Sequence, residues 1–262
     1  MINGKKIIFI VLIILVAIIL LLMGAIAILS KKNVAAMNRC IDTVLEELNK
    51  NYTVTALDPG KYKELAFFHI LKLNVEQYHI EELGNLSVMR VNMGMMQMAT
   101  AIITPRNKNL PLLSIDYMYI LSNRKAYLEF YDIVKEKDDQ YMQLMDALGA
   151  VENNYKHLED FEPSEAWYDN LLTVASFKSC TSEADADLID LLAESLHIYL
   201  EHSKNIPALS VEACQEKLAL TTAYTNGLIE KGGISTDIFK KQLGAEETRN
   251  FFDNVFFGTA VK

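Results

Sequence analysis

The fold is decided by residues 110–121, LPLLSIDYMYIL, an apolar stretch interrupted by a single acid, Asp116. Its length and its apolar and aromatic content predict a half-buried β-strand. Burial of a carboxylate in such a strand is unfavourable unless the group is paired, hydrogen-bonded or protonated. Asp116 is therefore either a surface residue of the strand or a working acid in a pocket.

Three further strand candidates surround this one. The four candidates span residues 86–92, 95–104, 112–121 and 126–134. They are joined by Gly94 and by two short polar turns at residues 106–109 and 122–125. Connections this short link only antiparallel neighbours, so the sequence predicts an antiparallel meander.

Segments with helical periodicity precede and follow the predicted strands. They cover residues 34–48, 61–73, 141–151, 184–201 and 211–231, and a final helical pair follows Gly232-Gly233. Residues 152–183 show no regular period. Helices, then a sheet, then helices predict an α+β fold, an α/β/α sandwich with a central antiparallel sheet.

The first 32 residues differ from the rest of the chain. Residues 7–29 form an apolar run, which at about 1.5 Å per residue is long enough to cross a hydrocarbon core of roughly 30 Å. We predict an N-terminal membrane anchor in residues 1–32, formed by one transmembrane helix, and a single domain in residues 33–262. A cleaved signal peptide is the alternative, because Ala25-Ile26-Ala27 resembles a cleavage site. Lysine pairs flank both ends of the run, so the positive-inside rule gives no orientation.

Charge and cysteine content exclude some classes of function. Residues 33–262 carry 21 basic and 34 acidic side chains, a net charge of −13. A nucleic-acid-binding surface would be basic, so nucleic acid is excluded as a partner. Cys40, Cys180 and Cys214 are widely spaced, match no metal-binding pattern and favour a reduced, cytoplasmic domain.

Familiar catalytic signatures do not occur in the sequence. The chain has no GxSxG, HExxH or GxGxxG motif and no phosphate-binding loop. His197 and His202 are five residues apart on a predicted helix, which does not place them on one face as metal ligands. The sequence therefore predicts no metal site.

Two blocks of sequence together resemble a known family. The first runs from Ile103-Thr104-Pro105 through residues 110–116 and a hairpin into residues 126–130. The second runs from Tyr224 through residues 230–244 to Val255-Phe256-Phe257-Gly258. In order and spacing both blocks are similar to the ferredoxin-dependent bilin reductases, and a looser similarity extends over residues 60–258.

This resemblance implies a ligand and a reaction. Members of the family bind an open-chain tetrapyrrole, a bilin, between the sheet and the C-terminal helices. They reduce it with single electrons from ferredoxin as the external donor and use no bound metal or flavin. Asp116 falls at the position of the family's strand aspartate, which contacts the pyrrole nitrogens or lactam and takes part in proton delivery. A carboxyl group in a partly apolar pocket resists ionisation, so it can hold a proton near neutral pH and donate it.

Other positions depart from the family pattern. Thr100 stands where some members have a histidine, and Asn92 stands where they have an acid, with Arg90 two residues before it. Arg90 and Asn92 share one face of a regular strand, so with Thr100 they are candidates for binding the tetrapyrrole. Solvated edge residues are the alternative for Arg90 and Asn92. The second proton donor of the family is missing or replaced.

Three functions follow from these observations. The leading hypothesis is a membrane-anchored bilin reductase. The alternatives are a protein that binds a tetrapyrrole without turnover and a membrane-tethered interaction protein that shares only the fold. An acidic domain matches an acidic ferredoxin poorly, unless a basic patch forms on two neighbouring turns. The candidates for this patch are Arg106, Lys108, Arg124 and Lys125.

Overall fold

The computed structural model describes residues 4–67, 71–233 and 235–260. The strands within these residues are β1 Val54–Leu57, β2 Glu64–Phe67, β3 Leu71–Ile80, β4 Gly84–Asn92, β5 Met96–Pro105, β6 Leu112–Ile120, β7 Asn123–Tyr131, β8 Glu159–Asp160 and β9 Leu172–Thr181. The helices are α1 Gly4–Asn51, α2 Asp139–Glu152, α3 Asp185–Asn205, α4 Val211–Lys231, α5 Thr236–Leu243 and α6 Ala245–Phe251. A π-helical segment, Phe252–Phe256, follows α6.

The described strands form one antiparallel sheet. Its order is β1-β3-β4-β5-β6-β7-β9-β8, and β2 also pairs with β3. Strands β4 to β7 are the predicted meander, with β6 and β7 joined by the two-residue loop Leu121–Ser122. Helices pack on both sides of this sheet. The predicted α/β/α sandwich, preceded by one long apolar N-terminal helix, is confirmed.

Helix α1 changes its surroundings along its length. From Leu12 to Ile28 its large apolar side chains are 46–74% exposed, apart from the half-buried Ile26, whereas Cys40 and Ile41 are fully buried against the sheet. Among the described residues it is the one helix long and apolar enough to cross a membrane, with a mean hydropathy of 3.4 in its most apolar window. A signal sequence shares these properties. The division after residue 32 stays a prediction, and α1 continues across it without a break.

One face of the sheet is closed by helices α1, α2 and α3. We call it the covered face. Its central row, read across β4 to β7, is Val88, Ala101, Ile115 and Leu128. These side chains are at most 2% exposed and belong to one large apolar cluster with residues of the three helices. This cluster is the main core of the domain.

The other face lies towards α4, α5 and α6, which cover only part of it. We call it the open face. Its central row is Met89, Thr100, Asp116 and Tyr127. Three polar side chains of β3 and β4 bind the free backbone carbonyls of the π-helical segment. Gln77 donates to Asn254 O (2.9 Å), Asn85 to Val255 O (3.2 Å) and Ser87 to Phe256 O (2.6 Å).

A buried lysine fixes α4 on this face. The Lys217 Nζ donates to Leu110 O (2.7 Å) and to Ile133 O (2.6 Å). These carbonyls lie just before β6 and just after β7, so one side chain ties the helix to both strands. Burial lowers the pKa of Lys217 to about 7, because desolvation disfavours the ammonium form.

The predicted helix over residues 61–73 is wrong. Residues 61 and 62 lie in a short 3₁₀ turn, Gly60–Tyr62. The rest of the described part forms β2 and the start of β3, and residues 68–70 lie outside the described residues. Leu65 and Phe67 are buried, whereas Glu64 and Ala66 are exposed, which is the two-residue period of a strand. Pairing of β2 with β3 decides the conformation here.

The segment 152–183, predicted to be irregular, contains β8 and the ten-residue strand β9. Strand β9 pairs with β7 from Leu172 to Thr181. The apolar alternation of β9 is interrupted in the sequence, because Lys178 occupies a position that faces the protein interior. Lys178 forms ion pairs of 2.5 Å with Glu152 and Asp160 there. A charged residue is tolerated inside the sheet when it is paired in this way.

Candidate functional site

The strand register brings two predicted site residues together. Thr100 of β5 lies directly opposite Asp116 of β6, and Asp116 lies opposite Tyr127 of β7. All three side chains project from the open face, because directly paired residues share a face in an antiparallel sheet. Thr100 and Asp116 therefore form the starting point of the candidate site.

Hydroxyl groups hold the Asp116 carboxyl in place. Thr100 Oγ1 donates to Asp116 Oδ1 (2.5 Å), and Ser114 Oγ donates to Asp116 Oδ2 (3.2 Å). Burial raises the pKa of Asp116, and the two hydrogen bonds act in the opposite direction. Desolvation favours the neutral acid and the hydroxyl donors favour the carboxylate. The group is half-buried at the surface of the open face, so it is both oriented and accessible.

A second acid, Glu129, lies beside Asp116. Glu129 of β7 pairs with Ser114 of β6, so the two acids are diagonal neighbours on the open face. Burial, and secondly the charge of Asp116, raises the pKa of Glu129 to about 8. The Tyr131 hydroxyl acts in the opposite direction and favours the carboxylate form, so it lowers the pKa of Glu129. Two neighbouring carboxyl groups in a partly apolar site resist simultaneous ionisation, because their negative charges repel each other.

Sequence reasoning missed Glu129, although a signal for it exists. A two-residue loop between β6 and β7 pairs residue 116 with 127 and residue 114 with 129. The polar turn that the sequence predicts at residues 122–125 leaves this register undefined. With the loop placed at Leu121–Ser122, the sequence alone puts Glu129 on the face of Asp116.

Aromatic side chains form a wall on one side of the two acids. Tyr131 lies 5.2 Å from Tyr224 of α4 and 5.8 Å from Tyr168 between ring centroids. Trp167 extends the wall, 5.4 Å from Tyr168 and 6.0 Å from Tyr224. Tyr131 and Tyr224 are buried. Trp167 and Tyr168 are partly exposed, so these two rings offer a flat conjugated ligand a surface to pack against.

The position of Trp167 depends on a glycine of α4. A Cβ atom built on Gly227 would lie 2.4 Å from the indole ring, so this position in α4 admits no side chain while Trp167 stays in place. The indole Nε1 donates to Gly232 O (2.8 Å), and Lys231 Nζ lies 4.7 Å from the ring centre. The indole is therefore held by three separate contacts.

Half-buried apolar side chains form the floor of the site. Met98 of β5 lies opposite Met118 of β6, one step along the open face from Thr100 and Asp116. On the other side of Asp116, Tyr127 packs with Phe177 of β9 at 5.8 Å. All four side chains are partly exposed. The floor thus offers an apolar surface with two acids at its centre.

Arg90 and Asn92 are not part of this arrangement. Arg90 pairs with Ala99 and Asn92 with Gln97, so both project from the covered face, opposite to Asp116. Arg90 Nη1 donates to Glu76. The Asn92 Oδ1 accepts from Gly94 N (3.0 Å) and Gln97 Nε2 (2.9 Å), which closes the turn between β4 and β5. The two residues do share a face, but strand alternation separates them from Thr100 and Asp116.

The predicted basic patch is wrong. Arg106 and Lys108 follow β5, whereas Arg124 and Lys125 begin β7, and the register places these positions at opposite ends of the sheet. Arg124 is buried in an ion pair with Asp185 (2.6 Å). Lys108 is also buried and donates to Ser203 O (2.6 Å). These residues therefore do not form one docking surface.

A cavity of about 350 Å³ lies elsewhere, on the side of the covered face. Its lining includes Arg39, Tyr119 and Asp185, and none of the residues around Asp116 contributes to it. In the described ranges 4–67, 71–233 and 235–260, no group of three or more His, Cys, Asp or Glu side chains is arranged to hold a metal ion. The clustered acids and partly exposed aromatic groups of the open face remain the better candidate site.

Comparison with known proteins identifies a structural relative. No protein-family model matches the chain, and no curated protein sequence matches it. The fold is similar to that of phytochromobilin synthase from tomato in complex with biliverdin, with a TM-score of 0.68 and 13% sequence identity over 85% of this chain and 84% of that chain. Likeness at this level of identity shows the fold alone. The predicted resemblance to the bilin reductases is confirmed at the level of the fold.

Proposed function

We propose that this chain binds an open-chain tetrapyrrole of the bilin type on the open face and reduces it there. The observation that carries the proposal is the pair Asp116 and Glu129, two adjacent acids on a partly exposed apolar floor. A bilin is flat and conjugated, with polar nitrogen and lactam groups along one edge. Such a ligand matches an aromatic wall and apolar floor with acids at the centre. The related fold of a protein solved with biliverdin gives independent support.

The two acids suit the proton requirement of the reaction. Reduction of one double bond consumes two electrons and two protons and forms two C–H or N–H bonds. Asp116, oriented by Thr100 and Ser114, donates the first proton to the bilin. Glu129, with its pKa raised to about 8, supplies the second proton near neutral pH. Glu129 thereby replaces the family's second proton donor, which is missing from its usual position in this chain.

The electrons come from outside the chain in this proposal. Ferredoxin, or a similar small electron carrier, delivers them one at a time. The three cysteines are free thiols, in keeping with a reducing compartment that also contains such a carrier. The proposed location of the domain is therefore the cytoplasmic side of the membrane.

Helix α1 is the proposed anchor. Its apolar residues 7–29 span about 34 Å at about 1.5 Å per residue, and from Leu12 to Ile28 they project away from the domain. The helix is continuous with the part that packs on the covered face, so one uninterrupted helix joins the anchor to the domain.

A titration with biliverdin tests the proposal on the full chain in lipid nanodiscs. We expect a shift in biliverdin absorbance on binding and bleaching when reduced ferredoxin is added. Asp116→Asn should retain binding and lose at least about 100-fold in reduction rate, the usual range for a proton donor. Glu129→Gln should slow reduction by a smaller factor. Asp146→Asn removes an exposed acid of α2 and serves as the matched control.

The outcomes separate the three functions. No absorbance shift would contradict tetrapyrrole binding and favour an interaction protein. A shift without bleaching would favour a binding protein that does not reduce its ligand. Unchanged turnover in Asp116→Asn would remove Asp116 from the mechanism. Protease accessibility in intact cells tests the orientation, and a domain outside the cell would rule out ferredoxin as donor.

A further inference from the structure

Exposed apolar side chains concentrate at one end of the sheet. Met93 and Met95 lie in the turn between β4 and β5, Ile120 is the last residue of β6, and Leu121 begins the loop between β6 and β7. Their exposed fractions range from 37% to 54%. After residue 28, these are four of the eight large apolar side chains that are exposed in the described part of the chain. The two turns touch, because Leu121 N donates to Met95 O (3.0 Å). We call these four residues the tip surface.

One residue of the tip surface adopts an unfavourable backbone conformation. Leu121 has φ +54° in the two-residue loop, a left-handed conformation that glycine or asparagine adopts more readily. The two-residue loop imposes this conformation, and the leucine side chain that it carries is 37% exposed. The backbone therefore does not account for a leucine at this position.

The tip surface lies where α1 enters the domain. Gln97 Nε2 donates to Ser30 Oγ (3.2 Å), and Asn33 Nδ2 donates to Leu121 O (2.9 Å). At the far end of the sheet, Glu81 N donates to Thr53 O (3.0 Å). Helix α1 therefore runs lengthwise along the strands. Its apolar run ends at Leu29, level with the tip surface.

An apolar track leads from the tip surface to the acids. Along the open face, the pair Met96–Ile120 is followed by Met98–Met118 and then by Thr100–Asp116. At about 3.3 Å per residue, Asp116 lies about 13 Å from Ile120. This track connects the membrane end of the sheet with the site.

We propose that the tip surface rests in the interfacial layer of the bilayer that α1 spans, so that the apolar track opens at the lipid surface. The inference rests on the proposed anchor. Lys31 and Lys32 are exposed at the same level, where ammonium groups contact lipid phosphates. The side chains of the tip surface then lie at the boundary between the headgroups and the acyl chains.

Site-directed fluorescence in nanodiscs tests this arrangement. In the full chain carrying Cys180→Ser and Cys214→Ser, Met95→Cys is labelled with a nitrobenzoxadiazole dye. Glu81→Cys, exposed at the far end of the sheet, is the matched control. Acyl-brominated phosphatidylcholine should reduce emission from position 95 by about twofold, the effect of a probe at the acyl boundary, and leave position 81 unchanged. Unaltered Trp167 emission before labelling verifies the fold of each variant.

The failures of this test are distinguishable. Nanodisc-bound protein with equal quenching at positions 95 and 81 would overturn the tip surface and leave the anchor intact. Protein that does not associate with nanodiscs at all would contradict the anchor, and with it this inference. No ligand is present in the experiment, so its result does not depend on tetrapyrrole binding.

Discussion

The two faces of the central sheet differ in how completely they are covered. On the covered face, α1, α2 and α3 close over a continuous apolar core in which residues such as Leu192, Leu196 and Tyr199 are fully buried. On the open face, α4 to α6 pack over one part, and Met98, Asp116, Met118 and Glu129 stay partly exposed. The same strands thus carry the apolar core on one face and, on the other face, two carboxyl groups whose pKa values are raised. Stability should depend on the first and chemistry on the second.

The largest expected effect compares one apolar truncation on each face. Leu192→Ala on the covered face should destabilise the domain by about 3 kcal/mol, because it leaves a cavity in a closed core. Met118→Ala on the open face should lose less than about 1 kcal/mol, since its side chain is already partly in water. Chemical denaturation of the full chain in detergent measures both. Equal losses would contradict the difference between the faces.

A pair of glycines in helices on opposite faces gives the next effect. Gly149→Ala in α2 meets no atom within 4 Å and should stabilise the domain by about 0.5–1 kcal/mol through helix propensity. Gly227→Ala in α4 gains the same propensity but pushes Trp167 away, so we expect a net loss of about 2 kcal/mol. Tryptophan emission, which reports Trp167 alone, should shift to the red only in the second variant. Stabilisation by both substitutions would show that Trp167 is not held against α4.

Glu129 should make stability depend on pH. Its pKa rises on folding from about 4.5 to about 8, so the folded state binds more protons within this window. The free energy of unfolding therefore falls as pH rises from about 4.5 to about 8. The expected contribution is on the order of 1 kcal/mol after solvent screening. Denaturation at several pH values should show a flatter profile for Glu129→Gln and an unchanged profile for Asp146→Asn. An unchanged profile in Glu129→Gln would mean that Glu129 ionises normally.

The smallest effect concerns the orientation of Asp116. Thr100→Val removes the hydroxyl that donates to Asp116 Oδ1, so the pKa of Asp116 should rise further, since this bond favours the carboxylate. Thr100→Ser keeps the hydroxyl and is the matched control. Infrared difference spectra of the carboxyl group during a pH titration measure the change. The free energy of unfolding should change by less than about 1 kcal/mol in Thr100→Val. An Asp116 pKa that is equal in both variants would exclude Thr100 as a hydrogen-bond partner of Asp116.

Much of the fold follows from local sequence patterns. Short connections and alternating side chains predict β4 to β7 as a meander, and helical periodicity predicts α2, α3 and α4 to within a few residues. The predicted helix over residues 61–73 fails because β2 exists only through its pairing with β3. Strand β9 escapes prediction because Lys178 interrupts its apolar alternation and is neutralised by distant acids.

The candidate site shows the same limit. Asp116 is found from sequence because one acid stands out in an apolar strand, and Thr100 is found through the family resemblance. Glu129 depends on the exact loop between β6 and β7, and a shift of one residue in register exchanges the faces. The sequence predicts that Arg90 and Asn92 share one face of β4, and they do, but this is the covered face. The turn between β4 and β5 sets the register of these two strands and so decides that Thr100 lies on the other face.

Methionine oxidation with and without biliverdin tests most directly whether the ligand lies on the open face. Met98 and Met118 flank the approach to Asp116, and Met142 of α2 is exposed on the opposite side of the domain. Oxidation by peroxide follows exposure and is measured residue by residue by mass spectrometry. We predict that biliverdin slows oxidation of Met98 and Met118 several-fold and leaves Met142 unchanged. Bound biliverdin without protection of Met98 and Met118 would contradict this account.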